Sequence, residues 1–191
     1  GVLSSSSATP ANSLLGVSIA SSTELGSYEI EVQQKAQAQR VGGNSATADK
    51  TAALGYTGAF DIALAGHTAG TINVTSGMSL ADIASAVNAQ KDTTGVSASV
   101  LKTSASGYQL ILTGTETNKQ MSVTNITGTD VLQSLGVIDG SAAFVNEIQA
   151  AQGAVITLDG VAVTRDTNDF NDLIDGVGLT VKNAEPGTTV Q

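Results

Sequence analysis

Gly58-Ala59-Phe60-Asp61-Ile62-Ala63-Leu64, then Thr71-Ile72-Asn73-Val74, then Ser79-Leu80-Ala81-Asp82-Ile83-Ala84-Ser85-Ala86-Val87-Asn88 is the stretch that decides the fold. Its first two parts read as strands. The loop Ala65 to Gly70 between them carries glycine for a tight reversal. Ser79 then opens a helix. It stands three residues before Asp82, the spacing of a capping box with Asp in place of the preferred Glu or Gln. Leu80, Ile83, Ala84 and Val87 fall at i, i+3, i+4 and i+7 and make one apolar face. Val96 to Leu101 and Tyr108 to Thr113 follow as a hairpin around Ser104-Ala105-Ser106-Gly107. Met121 to Ile126 is a further strand. Thr129 or Asp130 caps a short helical turn that Gly136 ends.

Outward from this block, Ala154 to Leu158 and Val161 to Arg165 flank Asp159-Gly160, a strong short-range hairpin signal. A two-residue loop pairs Leu158 with Val161 and Ile156 with Val163. Asn168 or Thr167 is read as the cap of a short helix carrying Phe170, Leu173 and Ile174, with Gly176 ending it and Val177 to Val181 as a last strand. On this reading two hairpin-then-helix units stand on one chain, a faint internal repeat. On the other side, Ser27 to Val41 alternates as a half-buried strand, although its Gln/Ala half also suits a helix; strand is the reading adopted. Val17 to Ile19 is a short strand, and Ser4 to Ser7 a solvated loop. Gly42-Gly43-Asn44-Ser45 breaks the chain.

The fold expected is α+β, mainly β: two small domains of antiparallel sheet with short capped helices, one inserted into the other. Residues 1–41 and 150–191 make the discontinuous domain, residues 52–144 the inserted one, and residues 42–51 and 145–149 the linkers. Composition agrees with two thin cores. Of 191 residues 41% are hydrophobic, but aromatics are 3% and there is no Trp. A chain of this length can bury roughly 70% of its extended surface without staples.

Composition also excludes several functions. With no cysteine there is no disulfide framework, thiolate metal site or cysteine nucleophile. A net charge of −9 with 8 Lys and Arg repels phosphate backbones, so nucleic acid is not a partner. No run of about 18 apolar residues inserts into a membrane. The ends, Gly1-Val2-Leu3 and Thr188-Thr189-Val190-Gln191, suggest a piece of something longer.

Candidate chemistry is sparse. His67, the only histidine, sits in a glycine-rich loop with no nucleophile and orienting carboxylate in view. Asp166-Thr167-Asn168-Asp169-Phe170-Asn171-Asp172 is the densest run of acids and amides. As a calcium loop it fails at Phe170 and lacks the following glycine, whereas helix capping uses the same residues. Gly55 to Gly58 and Gly66 to Gly70 lack the Lys-Ser/Thr of a phosphate loop. Asn73-Val74-Thr75 and Asn125-Ile126-Thr127 match short glycosylation acceptors. The expectation is no catalytic, cofactor-binding or metal-binding residue, no cofactor, and no enzyme.

Three blocks in this order carry a resemblance: Gly26 to Val32 with Lys35 to Gln39; Thr71 to Val74 and Ser79 to Asn88 with Gly95 to Val100 and Gly107 to Leu112; and Gln152 to Gly160 with Thr164 to Asn168 and Leu173 to Val181. Together they resemble the hook-associated protein 2 family of flagellar filament caps. The middle block alone is also similar to a module of some flagellins. The resemblance implies a fragment holding two outer head domains without the family's coiled-coil legs. It implies an extracellular structural role at the filament tip, where exported flagellin is assembled. The implied partners are copies of itself in a ring, flagellin, hook–filament junction proteins and, for adhesive members, mucin or surface glycans. A flagellin variable domain and an extracellular adhesin or carbohydrate-binding module are the alternatives.

Overall fold

A computed structural model describes residues 13–19, 26–44 and 47–190. In chain order its elements are β1 (Leu15–Ile19), β2 (Ile30–Gln34), β3 (Ala38–Gly42), β4 (Gly58–Leu64), β5 (Gly70–Val74), α1 (Leu80–Ala89), α2 (Lys91–Thr94), β6 (Val96–Ser104), β7 (Gly107–Thr117) and β8 (Met121–Gly128). They continue with α3 (Val131–Ser134), β9 (Glu147–Gln149), β10 (Ala154–Leu158), β11 (Val161–Arg165), β12 (Asp169–Ile174), β13 (Val177–Val181) and β14 (Thr189–Val190). The fold is α+β and mainly β, with every strand pair antiparallel.

The described residues divide into two compact units. One takes those of Gly1–Gln37 and Gln152–Gln191, the other those of Ala38–Ala151.

The first unit holds two sheets, in strand orders β1-β13-β12 and β11-β10-β2-β14. Its core gathers Leu15, Val32, Ile156, Phe170, Leu179 and Val181, all nearly sealed from solvent. Alternation explains why: Ile30 and Val32 point inward from β2, as do Ala154 and Ile156 from β10. The β10–β11 hairpin has the register its turn dictates, with Leu158 opposite Val161 and Ile156 opposite Val163. Asp159 and Gly160 both take positive φ, 47° and 82°, as a type I′ turn requires. The Asp159 carboxylate accepts the Glu29 N–H at 2.8 Å, fixing the turn to the start of β2.

The segment after this hairpin departs from its sequence reading. Residues 169–174 are a strand, not a capped helix. Asn168 does not cap. Its Oδ1 accepts the Ala36 N–H at 2.7 Å, and its Nδ2 donates to the Ala36 carbonyl at 3.3 Å. Phe170 pairs with Leu179 across the ladder and is fully buried. The spacing of Phe170, Leu173 and Ile174 suits a helix, but β13 offers an open hydrogen-bonding edge, and long-range pairing overrides local preference. The repeated hairpin-then-helix unit is therefore absent; the second copy is two hairpins in succession.

The second unit holds the sheets β6-β7-β3-β9 and β5-β4-β8 with α1 packed on them. Phe60, Ile62, Leu64, Ile72, Leu80, Ile83, Val87, Leu110, Leu112 and Leu132 form its core. Ser79 and Asp82 form the expected capping box. At the other end of α1, Asn88 reaches the outer strand β6: Nδ2 donates to the Ala98 carbonyl and Oδ1 accepts the Ala98 N–H, both at 2.8 Å. One amide thus anchors the helix and occupies a backbone site on an outer strand. Asp130 caps α3, and Gly136 follows it with φ 73°.

Ser27 to Val41 is not one strand. It breaks at Lys35–Gln37; β2 pairs with β10 and β14, and β3 pairs with β7 and β9. The break carries a single rung between Gln37 and Gln152, whose backbone groups exchange hydrogen bonds of 2.9 and 3.1 Å. The connection after Ala142 contains β9, too short and polar to announce itself in the sequence.

Candidate functional site

His67 and the acid and amide run both have local structural partners. His67 is half-buried in the β4–β5 loop, and its Nε2 bonds the Glu116 carboxylate. Lys119 Nζ lies 3.4 Å from the same carboxylate. The His67 hydrogen bond, with the Lys119 charge behind it, holds the Glu116 carboxyl below its usual range. The imidazole also lies against Gly95, whose φ is 73°; a Cβ there would come within 2.8 Å of the ring. His67 thus ties the β4–β5 loop to the end of α2 and the end of β7. Its ring meets a carboxylate backed by an ammonium, and the contact joins three segments of the unit.

The acid and amide run is spent on backbone and side-chain bonds. Thr167 Oγ1 accepts the Asp169 N–H at 3.3 Å, and Asp169 accepts the Thr180 hydroxyl at 3.2 Å. Arg165 bonds Asp172 through two nitrogens at 3.2 and 3.3 Å, donates to the Thr164 carbonyl at 2.8 Å, and lies 5.7 Å from the Phe170 ring centroid. That guanidinium holds the Asp172 carboxyl below its usual range. Among the described residues no group of three or more His, Asp or Glu is placed to hold a metal ion. Asn73 and Asn125 lie exposed on β5 and β8. Among the described residues no helix is long and apolar enough to cross a membrane.

What the molecule does present is strand edge. Leu101 on β6, Ile126 on β8, Ile148 on β9 and Val161 on β11 are exposed large apolar side chains, and all four strands are the outermost of their sheets. Val161 is the most open at 64%. Tyr28 precedes β2 and Val145 precedes β9, also exposed. Apolar side chains on outer strands are the features that other chains use for contact. Lys50 and Lys102 flank Tyr108, each 5.9 Å from its ring centroid, a local cationic spot on an acidic chain. Sequence reading did not find these residues. Exposure on an outer strand depends on sheet order, which has no local signal.

Comparison with known proteins gives this surface a context. The family described as "Flagellin hook IN motif" matches residues 59–116. The lateral flagellar hook-associated protein 2 of Vibrio parahaemolyticus is 30% identical over 172 residues, covering 84% of this chain and 38% of that protein. The flagellar hook-associated protein 2 of Escherichia coli K12 is 29% identical over 180 residues, covering 90% and 37%. The chain therefore spans under two fifths of the length of these curated relatives. Among solved structures, the FliD D2-D3 domains of the Serratia marcescens flagellar cap protein are 25% identical with a TM-score of 0.76, covering 92% of this chain and 95% of that one. The corresponding Escherichia coli domains share the fold, with a TM-score of 0.79 at 23% identity over 93% of this chain and 92% of that one. The Pseudomonas aeruginosa FliD structure is 25% identical with a TM-score of 0.72, over 94% of this chain and 83% of that one.

Proposed function

We propose, from the premise that this chain is a head-region member of the flagellar hook-associated protein 2 family, that it serves as the outer part of a filament-tip cap. One observation carries the reading: the match to a flagellar cap protein's D2-D3 domains is nearly end to end in both chains, 92% and 95%, at 25% identity. The role is structural and extracellular. The cap rests on the growing filament, and exported flagellin assembles beneath it. Copies of the chain itself and flagellin are the proposed partners, with junction proteins as neighbours in the same filament. The exposed side chains on β6, β8, β9 and β11 supply contact area, and a ring of copies would join unlike faces head to tail.

The proposal does not extend to mucin or surface glycans. Aromatics are 3% of the chain, which leaves few flat faces for stacking a sugar ring.

Deleting the gene in the source bacterium tests the role. Flagellin released into the medium as monomer, with short or missing filaments, is the expected result. Normal filaments would overturn it. The motif match over residues 59–116 keeps a flagellin variable domain as the second reading. Labelling decides between them: signal at filament tips alone supports the cap, and signal along the filament supports the flagellin.

A further inference from the structure

β6 and β9 are the two outer strands of one sheet, β6-β7-β3-β9. Every pairing in it is antiparallel, so the two edges run in opposite directions. A second copy laid beside the first in the same orientation therefore brings its β9 to β6 as an antiparallel neighbour. The side chains on these edges match. Leu101 on β6 is 44% exposed and Ile148 on β9 is 47% exposed. They share one face of the sheet: Leu101 stands opposite Gln109, and a Cβ at Gly42 would meet Gln109 Nε2 and, at 3.1 Å, Ile148 Cδ1. With Leu101 set opposite Ile148 of the second copy, antiparallel order sets Lys102 opposite Glu147.

The backbones are turned correctly for that register. Ala98 gives its N–H and carbonyl to the Asn88 amide, away from β7. Lys102 follows at an even spacing along β6, so its own N–H and carbonyl face the same way. On β9, Glu147 stands opposite Val41 while the Gly42 N–H donates to the Asn146 carbonyl at 2.9 Å. That pattern points the Glu147 N–H and carbonyl away from β3. Lys102 and Glu147 then form a hydrogen-bonded pair across the junction. Leu101 and Ile148 form the adjacent non-bonded pair, where opposed side chains stand closest. The Asn88 amide on Ala98 sets where the added strand stops.

Charge favours the same occupant. Lys102 and Lys50 each lie 5.9 Å from the Tyr108 ring centroid, a cationic spot on a chain of net charge −9. Glu147 is exposed, and its carboxylate accepts the Gln39 Nε2 at 2.7 Å, which leaves lone pairs for a second donor. Among the described residues, β6 and β9 are the two outer strands of one sheet that carry opposite charges beside an exposed apolar residue.

We propose, resting on the self-association put forward above, that β6 of one copy joins β9 of the next edge to edge, with Leu101 opposite Ile148 and Lys102 opposite Glu147. The four-stranded sheet then runs on from copy to copy. Each copy uses both edges, so the contact is heterologous and closes into a ring where the rotation between copies permits.

Cysteine linking tests the contact. This chain has no cysteine, so Leu101→Cys and Ile148→Cys are made in separate preparations of the full-length protein, mixed and oxidised. A non-bonded antiparallel pair has its Cα atoms about 4.5 Å apart, within disulfide reach. Peptide mapping is expected to show the 101-to-148 link forming about tenfold faster than 101-to-101 or 148-to-148, since like edges do not meet in a heterologous contact. Val161→Cys mixed with Ile148→Cys gives the background rate for exposed outer strands. Lys102→Glu beside Leu101→Cys sets two carboxylates opposite each other and should slow the link about two- to fivefold. Glu147→Lys beside Ile148→Cys should restore it. A 101-to-148 link no faster than background, or a charge exchange without effect, would overturn the contact. That failure is distinct from failure of the cap reading. If deleting the gene still releases flagellin, the cap role stands without this interface; if filaments are normal in the deletion strain, the cap role falls whatever the link shows.

Discussion

Ser79 and Asp82 cap α1 reciprocally: Ser79 Oγ accepts the Asp82 N–H at 3.1 Å, and Asp82 Oδ2 accepts the Ser79 N–H at 2.9 Å. Ser79→Ala removes one half of this exchange at a buried position. It is expected to cost about 1 kcal/mol, read as a lower urea midpoint of the helical circular-dichroism band. An unchanged midpoint would show that packing of Leu80 and Ile83 alone starts the helix.

The same pair sets a pH dependence. The Ser79 backbone bond, with its hydroxyl next, holds the Asp82 carboxyl below its usual range. A carboxyl lowered on folding stabilises fully above its unfolded value and loses that stability as pH falls through the folded one. Stability of the wild type should therefore decline more steeply than that of Asp82→Asn on acidification through and below the ordinary carboxylate range. Parallel titrations by urea unfolding check this; parallel curves would rule the contribution out.

Asn168 is expected to matter more than its place in a polar run suggests. Asn168→Ala leaves the N–H and carbonyl of the buried Ala36 without this partner, a cost of about 1 to 3 kcal/mol. Asn168→Asp keeps the acceptor toward the Ala36 N–H and loses only the donor, so it should fall between wild type and Ala. Equal stability of all three would mean water replaces the amide without penalty.

Phe170 tests the separateness of the two cores. Phe170→Ala is expected to remove about 3 to 5 kcal/mol from the unit that contains it. Among the described residues all three helices lie in the other unit. The helical band should keep its midpoint while amide exchange in β10, β12 and β13 accelerates. A helical midpoint that drops equally would show the cores unfold as one.

Gly95→Ala places a Cβ at 2.8 Å from the His67 ring and a non-glycine residue at φ 73°. The left-handed backbone alone costs about 1 to 2 kcal/mol. The imidazole must also move off Glu116, so His67 ring signals in NMR should shift and the Glu116 titration should rise toward its ordinary range. Unmoved ring signals would mean that Glu116, not Gly95, fixes the histidine.

How much of this was readable beforehand depended on where the deciding interaction lay. The α1 cap and the β10–β11 register were legible because Ser79, Asp82, Asp159 and Gly160 act on neighbours a few residues away. Asn168 misled because the amide that caps helices elsewhere is spent on Ala36, 132 residues away. The break between β2 and β3 was invisible for the same reason: the sequence pattern reads on through it, while in the structure the pairing partners change and the buried positions shift from Ile30, Val32 and Ala36 to Gln39 and Val41. β9 and β14 have three and two residues, and only their partners make them strands. The exposed residues on outer strands were least legible, since Val161 and Ile148 differ from core residues only in sheet order.

The rung between Gln37 and Gln152 has a genetic meaning. Opposed residues in an antiparallel pair stand about 5 Å apart, so everything from residue 38 to residue 151 leaves and returns through neighbouring points. A foreign sequence whose own ends lie that close could be spliced in at this rung, and the strands on its near side would still pair. Lineages could exchange the whole cassette while keeping its socket.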